Sequence, residues 1–63
     1  MEKSIVITVE MSEDQAEAYS QFLKRVSFTD YHQLAASDAE AYAMQEAGER
    51  IRKELANNGF NPR

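Results

Sequence analysis

The chain contains no cysteine and no tryptophan, and it has only one proline, two glycines and one histidine. Without cysteine, neither a disulfide framework nor a thiolate zinc site can form. A single histidine, with no glycine-rich phosphate-binding loop, leaves no catalytic, cofactor or metal motif. The lack of cysteine fits a reducing compartment, and no apolar run approaches the ~20 residues that span a bilayer. We therefore expect a cytoplasmic protein that is not an enzyme and uses no cofactor.

Size and charge restrict the classes of partner. The 63 residues form one small domain, 1–63, and a chain this short buries only ~60% of the surface that its unfolded form exposes. Small domains compensate with disulfides, metals or self-association, and self-association is the route that this composition leaves. Eleven acidic and seven basic residues give a formal charge of −4. This charge repels phosphate backbones, so nucleic acid is an unfavourable partner and a protein is the expected one.

The first apolar run, residues 4–10, has the alternation that is typical of a β-strand. Ile5, Ile7 and Val9 lie on one face, and Val6 and Thr8 lie on the other. All five are β-branched, which favours an extended backbone. Nothing downstream supplies an equally convincing second strand, and a lone strand leaves its backbone N–H and C=O groups unpaired. We therefore predict that these five residues form a homodimer interface in which the strands of two copies pair.

Two helices are predicted after the strand, at about 13–26 and 38–58. Ser12 and Gln15 fit a capping box at the first start, and Ser37 and Glu40 fit one at the second. Gly59 marks the end of the second helix. Apolar residues recur at three- and four-residue spacing, which gives each helix one apolar stripe. The stripes contain Ala16, Tyr19, Phe22, Leu23 and Val26 in the first helix, and Ala41, Met44, Gly48, Ile51 and Leu55 in the second.

The connection between these helices, residues 27–37, fits two structures equally well. Val26, Phe28 and Asp30 alternate with their neighbours, which predicts a short second strand at about 26–31. Thr29 can instead start a helical turn. A second strand would pair with the first within one chain and remove the main support for a homodimer. The predicted fold class is α+β in the order β-α-α, with Gly48 marking a close helix contact.

Acidic residues cluster at the predicted starts of both helices. They form one acidic surface if the two starts lie on the same side of the molecule, and such a surface fits a basic nucleic-acid-binding groove of a partner. Simple matching of the helix dipole also explains them. Aromatic residues in the connection are candidate anchors, although core packing explains these equally well. The candidate partner-binding residues are Glu13, Asp14, Glu17, Phe28, Tyr31, Asp38 and Glu40.

The order strand, helix, helix is also that of ribbon–helix–helix DNA-binding regulators and antitoxins, whose strands pair across a dimer. The similarity is one of architecture only. The base-reading face of the ribbon would be occupied by Ser4, Val6, Thr8 and Glu10, where Glu10 puts the wrong charge near phosphate. DNA binding through Lys3, Thr8 and the start of the second helix is therefore the alternative function.

Four stretches distributed between residues 7 and 63 are residues 7–16 (ITVEMSEDQA), 21–26 (QFLKRV), 38–44 (DAEAYAM) and 59–63 (GFNPR). They resemble a group of short bacterial proteins without an established activity, some of them carried by phages or plasmids. The resemblance implies a mobile-element context, in which small acidic proteins are often inhibitors of host machinery, including anti-CRISPR proteins. The expected function is a homodimeric protein-binding module that inhibits host nucleic-acid-handling or defence machinery.

Overall fold

A computed structural model describes residues 3–61, and over those residues the protein consists of three helices. These are α1 (Glu13–Arg25), α2 (Phe28–Leu34) and α3 (Asp38–Asn57). Residues 3–11 precede α1 as an exposed chain without regular secondary structure, and we call them the N-terminal arm. None of the three helices is long and apolar enough to cross a membrane.

The predicted strand at about 4–10 and the α+β fold class are wrong, because the described residues contain neither strand nor sheet. A strand requires a second extended segment to receive its backbone hydrogen bonds, however well its side chains alternate. Residues 26–31 do not provide that segment, since α2 begins within them. The proposal that strands pair across a homodimer is overturned together with the strand.

The starts of α1 and α3 lie at their predicted capping residues. The Ser12 hydroxyl accepts a hydrogen bond from the Gln15 N–H at 3.1 Å, and the Gln15 side chain accepts from the Ser12 N–H at 2.9 Å, which confirms the first capping box. At α3, Ser37 accepts from the Glu40 N–H at 3.1 Å. The Glu40 carboxylate, however, accepts from the N–H of Ala36 at 3.1 Å, one residue before the expected partner.

The α2 helix resolves the choice that the sequence left open in the connection. The Asp30 carboxylate accepts hydrogen bonds from the Ser27 N–H at 2.9 Å and from the Ser27 hydroxyl at 3.0 Å. The Asp30 N–H donates to the Ser27 hydroxyl at 3.4 Å, which completes a third capping arrangement. This cap starts a helix at Phe28, so the chain turns into α2 instead of forming a second strand.

The α3 helix lies at the centre, because both α1 and α2 pack against it. Along α1, Ala16 packs near Leu55, while Leu23 lies near Gly48, so α1 and α3 run antiparallel. On the α2 side, a Cβ at Gly48 would overlap the hydroxyl of Tyr31, which confirms the close helix contact predicted at this glycine. The main cluster of the small hydrophobic core consists of Ala16, Leu23 and Leu55, with Ile51 and Phe60 packed against it, and Ala41 is buried as well.

The α3 helix ends in a Schellman motif at Gly59, the residue predicted to mark its end. Gly59 has a φ of 95°, a backbone conformation that favours glycine. The Phe60 N–H donates to the Leu55 carbonyl at 2.9 Å, and the Gly59 N–H donates to the Ala56 carbonyl at 3.0 Å. The Phe60 carbonyl in turn accepts a hydrogen bond from the buried Ser20 hydroxyl at 3.0 Å, which ties the end of α3 to α1. Pro62 lies outside the described residues.

Candidate functional site

The N-terminal arm presents an unusual concentration of exposed apolar side chains. Ile5 is 83% exposed and Ile7 is 67% exposed, and Val6 and Val9 are also exposed. Among the hydrogen bonds found in the part of the chain that the structure describes, none involves a residue of the arm. Both the side chains and the backbone of the arm are thus available to an external partner.

A groove of about 950 Å³ lies between the arm and the helices. Ile5, Ile7, Thr8 and Val9 of the predicted dimer interface line it, whereas Val6 does not. The helical side of the groove is formed by Ala16, Tyr19, Ala47, Ile51 and Leu55, all of which present apolar surface. The groove is therefore an apolar surface with one wall from the arm and another from α1 and α3.

Charged side chains form the rim of this groove. Glu10, Glu13 and Glu54 contribute carboxylates, and Arg50 contributes a cation. Within residues 3–61, ion pairs join His32 to Asp38 and Arg52 to Glu49. Arg50 forms no ion pair with any of these described residues. Arg50 is therefore positioned to receive a carboxylate from outside the chain.

Tyr19 and Phe22 extend the apolar surface along α1. Their rings stack with centroids 5.4 Å apart, and the side chains are 42% and 49% exposed. The periodicity of α1 assigned both residues to its core-facing stripe, and it did not show that they remain accessible. The signal that identifies them is the number of large apolar residues, which is high for a chain of 63 residues that can bury only ~60% of its surface. The exposed large apolar residues are Ile5, Val6, Ile7, Val9, Met11, Tyr19, Phe22, Leu34 and Tyr42.

The acidic residues predicted to bind a partner lie at opposite ends of the molecule. Because α1 and α3 are antiparallel, Glu13 lies near Asn58 at the end of α3, while Asp38 lies at the start of α3. The 20 residues of α3 span about 30 Å at ~1.5 Å per residue. The two acidic clusters therefore do not form one continuous surface. Glu13, Asp14 and Glu17 are exposed and form no ion pair within the described range.

At the other end, the predicted binding residues contact one another across α2 and α3. The Asp38 carboxylate lies 2.6 Å from His32 Nε2. Phe28 packs its ring 4.6 Å from the ring of Tyr42. The half-buried Tyr31 ring packs over α3, and burial is the main factor that raises the pKa of its hydroxyl. Partner binding by these residues stays a prediction, whereas Phe28, Tyr31 and Asp38 each contact a residue of the other helix.

Residues 3–61 contain no group of three or more side chains arranged to hold a metal ion. A family model described as a family of unknown function, DUF7706, matches residues 1–63. No curated protein and no solved structure matches the chain. The family match agrees with the resemblance to proteins without an established activity, and it relates the chain neither to mobile elements nor to ribbon–helix–helix regulators.

Proposed function

The chain belongs to the DUF7706 family, and we propose that it is a non-enzymatic protein-binding module that acts as a homodimer. The observation that supports this proposal is the apolar surface that the fold leaves uncovered. Among residues 3–61, nine large apolar side chains are exposed, whereas the buried apolar residues are only two alanines and two leucines. Exposed apolar surface on this scale is typical of a protein that buries it against a partner.

The accessible surface area indicates the size of the missing contact. A folded monomer of 7.2 kDa exposes about 4,100 Å² by the scaling that monomeric proteins follow. This chain exposes 5622 Å², an excess of about 1,500 Å² over that scaling. Covering the excess on two copies would bury about 3,000 Å², which falls within the ~2,000–5,000 Å² of obligate homodimers. A second copy is therefore large enough to cover most of this excess.

The surface of the dimer would carry twice the charge of −4 found in one chain, which favours a basic protein as the further partner. Glu13, Asp14 and Glu17 form a cluster of exposed carboxylates at the start of α1, and none of them has an ion-pair partner in the described chain. Complementary charge steers association and selects the partner. Inhibition of a host nucleic-acid-handling or defence protein is the activity that we propose for this surface.

Self-association is tested by light scattering and sedimentation of the full chain at micromolar concentration. We expect the wild type to have twice the 7.2 kDa mass of one chain. Ile7→Asp should produce a monomer, because it places a charge in the apolar groove. Leu34→Asp is the matched control, since Leu34 is 84% exposed but does not line the groove, and it should remain dimeric. A wild type that is monomeric and folded at this concentration contradicts the proposal.

The partner surface is tested by affinity capture from the native host. The wild type is compared with a variant that combines Glu13→Gln, Asp14→Asn and Glu17→Gln, which keeps the size of the side chains and removes their charge. We expect the wild type to capture a basic protein that the variant does not capture. This protein should dissociate from the wild type as the salt concentration is raised. Equal capture by the variant would show that these carboxylates do not bind the partner.

A further inference from the structure

We propose that the two copies exchange their N-terminal arms, so that the arm of each copy lies in the apolar groove of the other. This exchange presupposes the proposed homodimer and identifies what occupies its groove. The packing is between apolar side chains and the surfaces of α1 and α3, with the backbone of the arm facing water.

The arm does not fill the groove of its own chain. Ile5 and Ile7 line the groove but remain mostly exposed, because the arm stands away from α1 and α3 and forms one wall of the space. A volume of about 950 Å³ is left between this wall and the helices. An apolar segment that fills this volume would exclude water from it.

The base of the arm is held in a defined position. At Ser12, the backbone N–H and the hydroxyl are both hydrogen-bonded to Gln15, so the arm leaves α1 from a fixed point. The nine residues of the arm, 3–11, reach about 30 Å when extended at ~3.3 Å per residue. The longest dimension of the molecule is 33 Å. An extended arm can therefore cross most of a second copy.

The chemistry of the arm matches that of the groove. Ile5, Ile7 and Val9 present branched apolar side chains at every second position. The groove offers the small side chains of Ala16 and Ala47, which leave room for branched ones. At the rim, the unpaired cation of Arg50 can receive the Glu10 carboxylate from the arm of the second copy. Because the dimer is symmetric, each copy supplies one arm and one groove.

Disulfide trapping tests the exchange, because the native chain has no cysteine. The full-length double variant Ile7→Cys, Ala47→Cys is oxidised at micromolar concentration and run on a non-reducing gel. Arm exchange predicts that most of the protein becomes covalently linked between two chains. An arm that packs on its own body predicts a disulfide within one chain, which migrates as a monomer.

Mixing two single variants gives an independent readout. Ile7→Cys and Ala47→Cys chains, one of them carrying a tag, are mixed, re-equilibrated and oxidised, and exchange predicts a linked heterodimer. The control pair is Ile7→Cys with Leu34→Cys, which should remain unlinked because Leu34 lies outside the groove. Val9→Cys with Ile51→Cys provides a second pair if Ile7→Cys fails to fold, as checked by circular dichroism.

The outcomes separate this inference from the proposed function. A wild type that is dimeric by light scattering, with variants that form only an intrachain disulfide or no disulfide, overturns arm exchange and leaves the homodimer standing. Preferential linkage between two Ile7→Cys chains also overturns it, because the arms would then lie beside each other. A monomeric wild type overturns both proposals.

Discussion

At the scale of single residues, the contact between Gly48 and Tyr31 determines how closely α2 approaches α3. A glycine inside a helix costs about 1 kcal/mol relative to alanine. Here, the missing side chain leaves space for the Tyr31 hydroxyl, which lies too close to the position of a Cβ for both to be present. The carbon that carries this hydroxyl would lie 3.5 Å from that Cβ, which is an ordinary contact distance. The steric conflict therefore comes from a single oxygen atom.

We predict that Gly48→Ala destabilises the fold by about 1–3 kcal/mol, because overpacking exceeds the ~1 kcal/mol gained in helix propensity. In a Tyr31→Phe background, the same substitution should be neutral or stabilising, since the conflicting oxygen is absent. The measurement is urea unfolding followed by circular dichroism at one fixed chain concentration. An equal loss of stability in both backgrounds would show that the hydroxyl is not the cause.

At the scale of elements, α2 is a short helix that depends on its N-terminal cap and on its packing against α3. Seven residues are fewer than the ~12–15 that an isolated helix needs for even marginal stability in water. The side chains of Ser27 and Asp30 accept hydrogen bonds from backbone N–H groups at the start of the helix. Phe28 and Tyr31 pack against α3. Two hydrogen bonds from Ser27 lower the pKa of the Asp30 carboxyl. The backbone N–H has the larger effect, and the hydroxyl has the smaller one.

We predict that Ser27→Ala weakens α2, with a loss of about 1 kcal/mol as is usual for a lost N-cap. The expected result is faster hydrogen exchange of the α2 amides, while the amides of α1 keep their protection. Thr29→Ala, at an exposed position of the same helix, is the control and should leave exchange unchanged. Equal exchange in Ser27→Ala and the wild type would mean that packing on α3 alone holds α2.

The cap formed by Ser27 and Asp30 makes the stability of α2 fall at low pH. Because the folded state lowers the pKa of Asp30 below its ordinary value of 3.8, the ionised carboxylate is favoured by folding. This contribution is present above pH 3.8 and is lost as the pH falls through the lowered pKa. In the exchange experiment, the α2 amides of the wild type should therefore lose protection on acidification, and Ser27→Ala should show a smaller change.

At the scale of the whole molecule, like charge opposes association and apolar burial drives it. Each copy carries a net charge of −4, so bringing two copies together concentrates negative charge. The uncovered apolar surface supplies the opposing free energy. For the binding of a basic partner, the electrostatic contribution is favourable, because the two proteins carry opposite charges.

We predict that added salt strengthens the homodimer between about 0.01 and 0.1 M ionic strength, where the Debye length falls from ~30 to ~10 Å. Sedimentation equilibrium over this range should show a dissociation constant that decreases with salt. Capture of a basic partner over the same range should weaken. A dimer that dissociates as salt rises would show that ion pairs, rather than apolar burial, hold the interface.

Local patterns in the sequence determined the parts of the fold whose interactions span only a few residues. Ser12 with Gln15 defines the start of α1, and Gly59 with Phe60 defines the end of α3, because the atoms involved lie within one helical turn. Chain length also predicted that the molecule is too small to bury most of its apolar surface alone. These features depend on neighbouring residues and could be predicted without the rest of the molecule.

Only the tertiary structure decided the features that depend on distant partners. The arm has the side chains of a strand, but a strand exists only where another segment accepts its hydrogen bonds, and the described chain offers none. The antiparallel packing of α1 and α3 placed the two acidic clusters at opposite ends and left Tyr19 and Phe22 exposed. Alternation and periodicity specify which face of a segment is apolar, whereas the three-dimensional packing determines what covers that face.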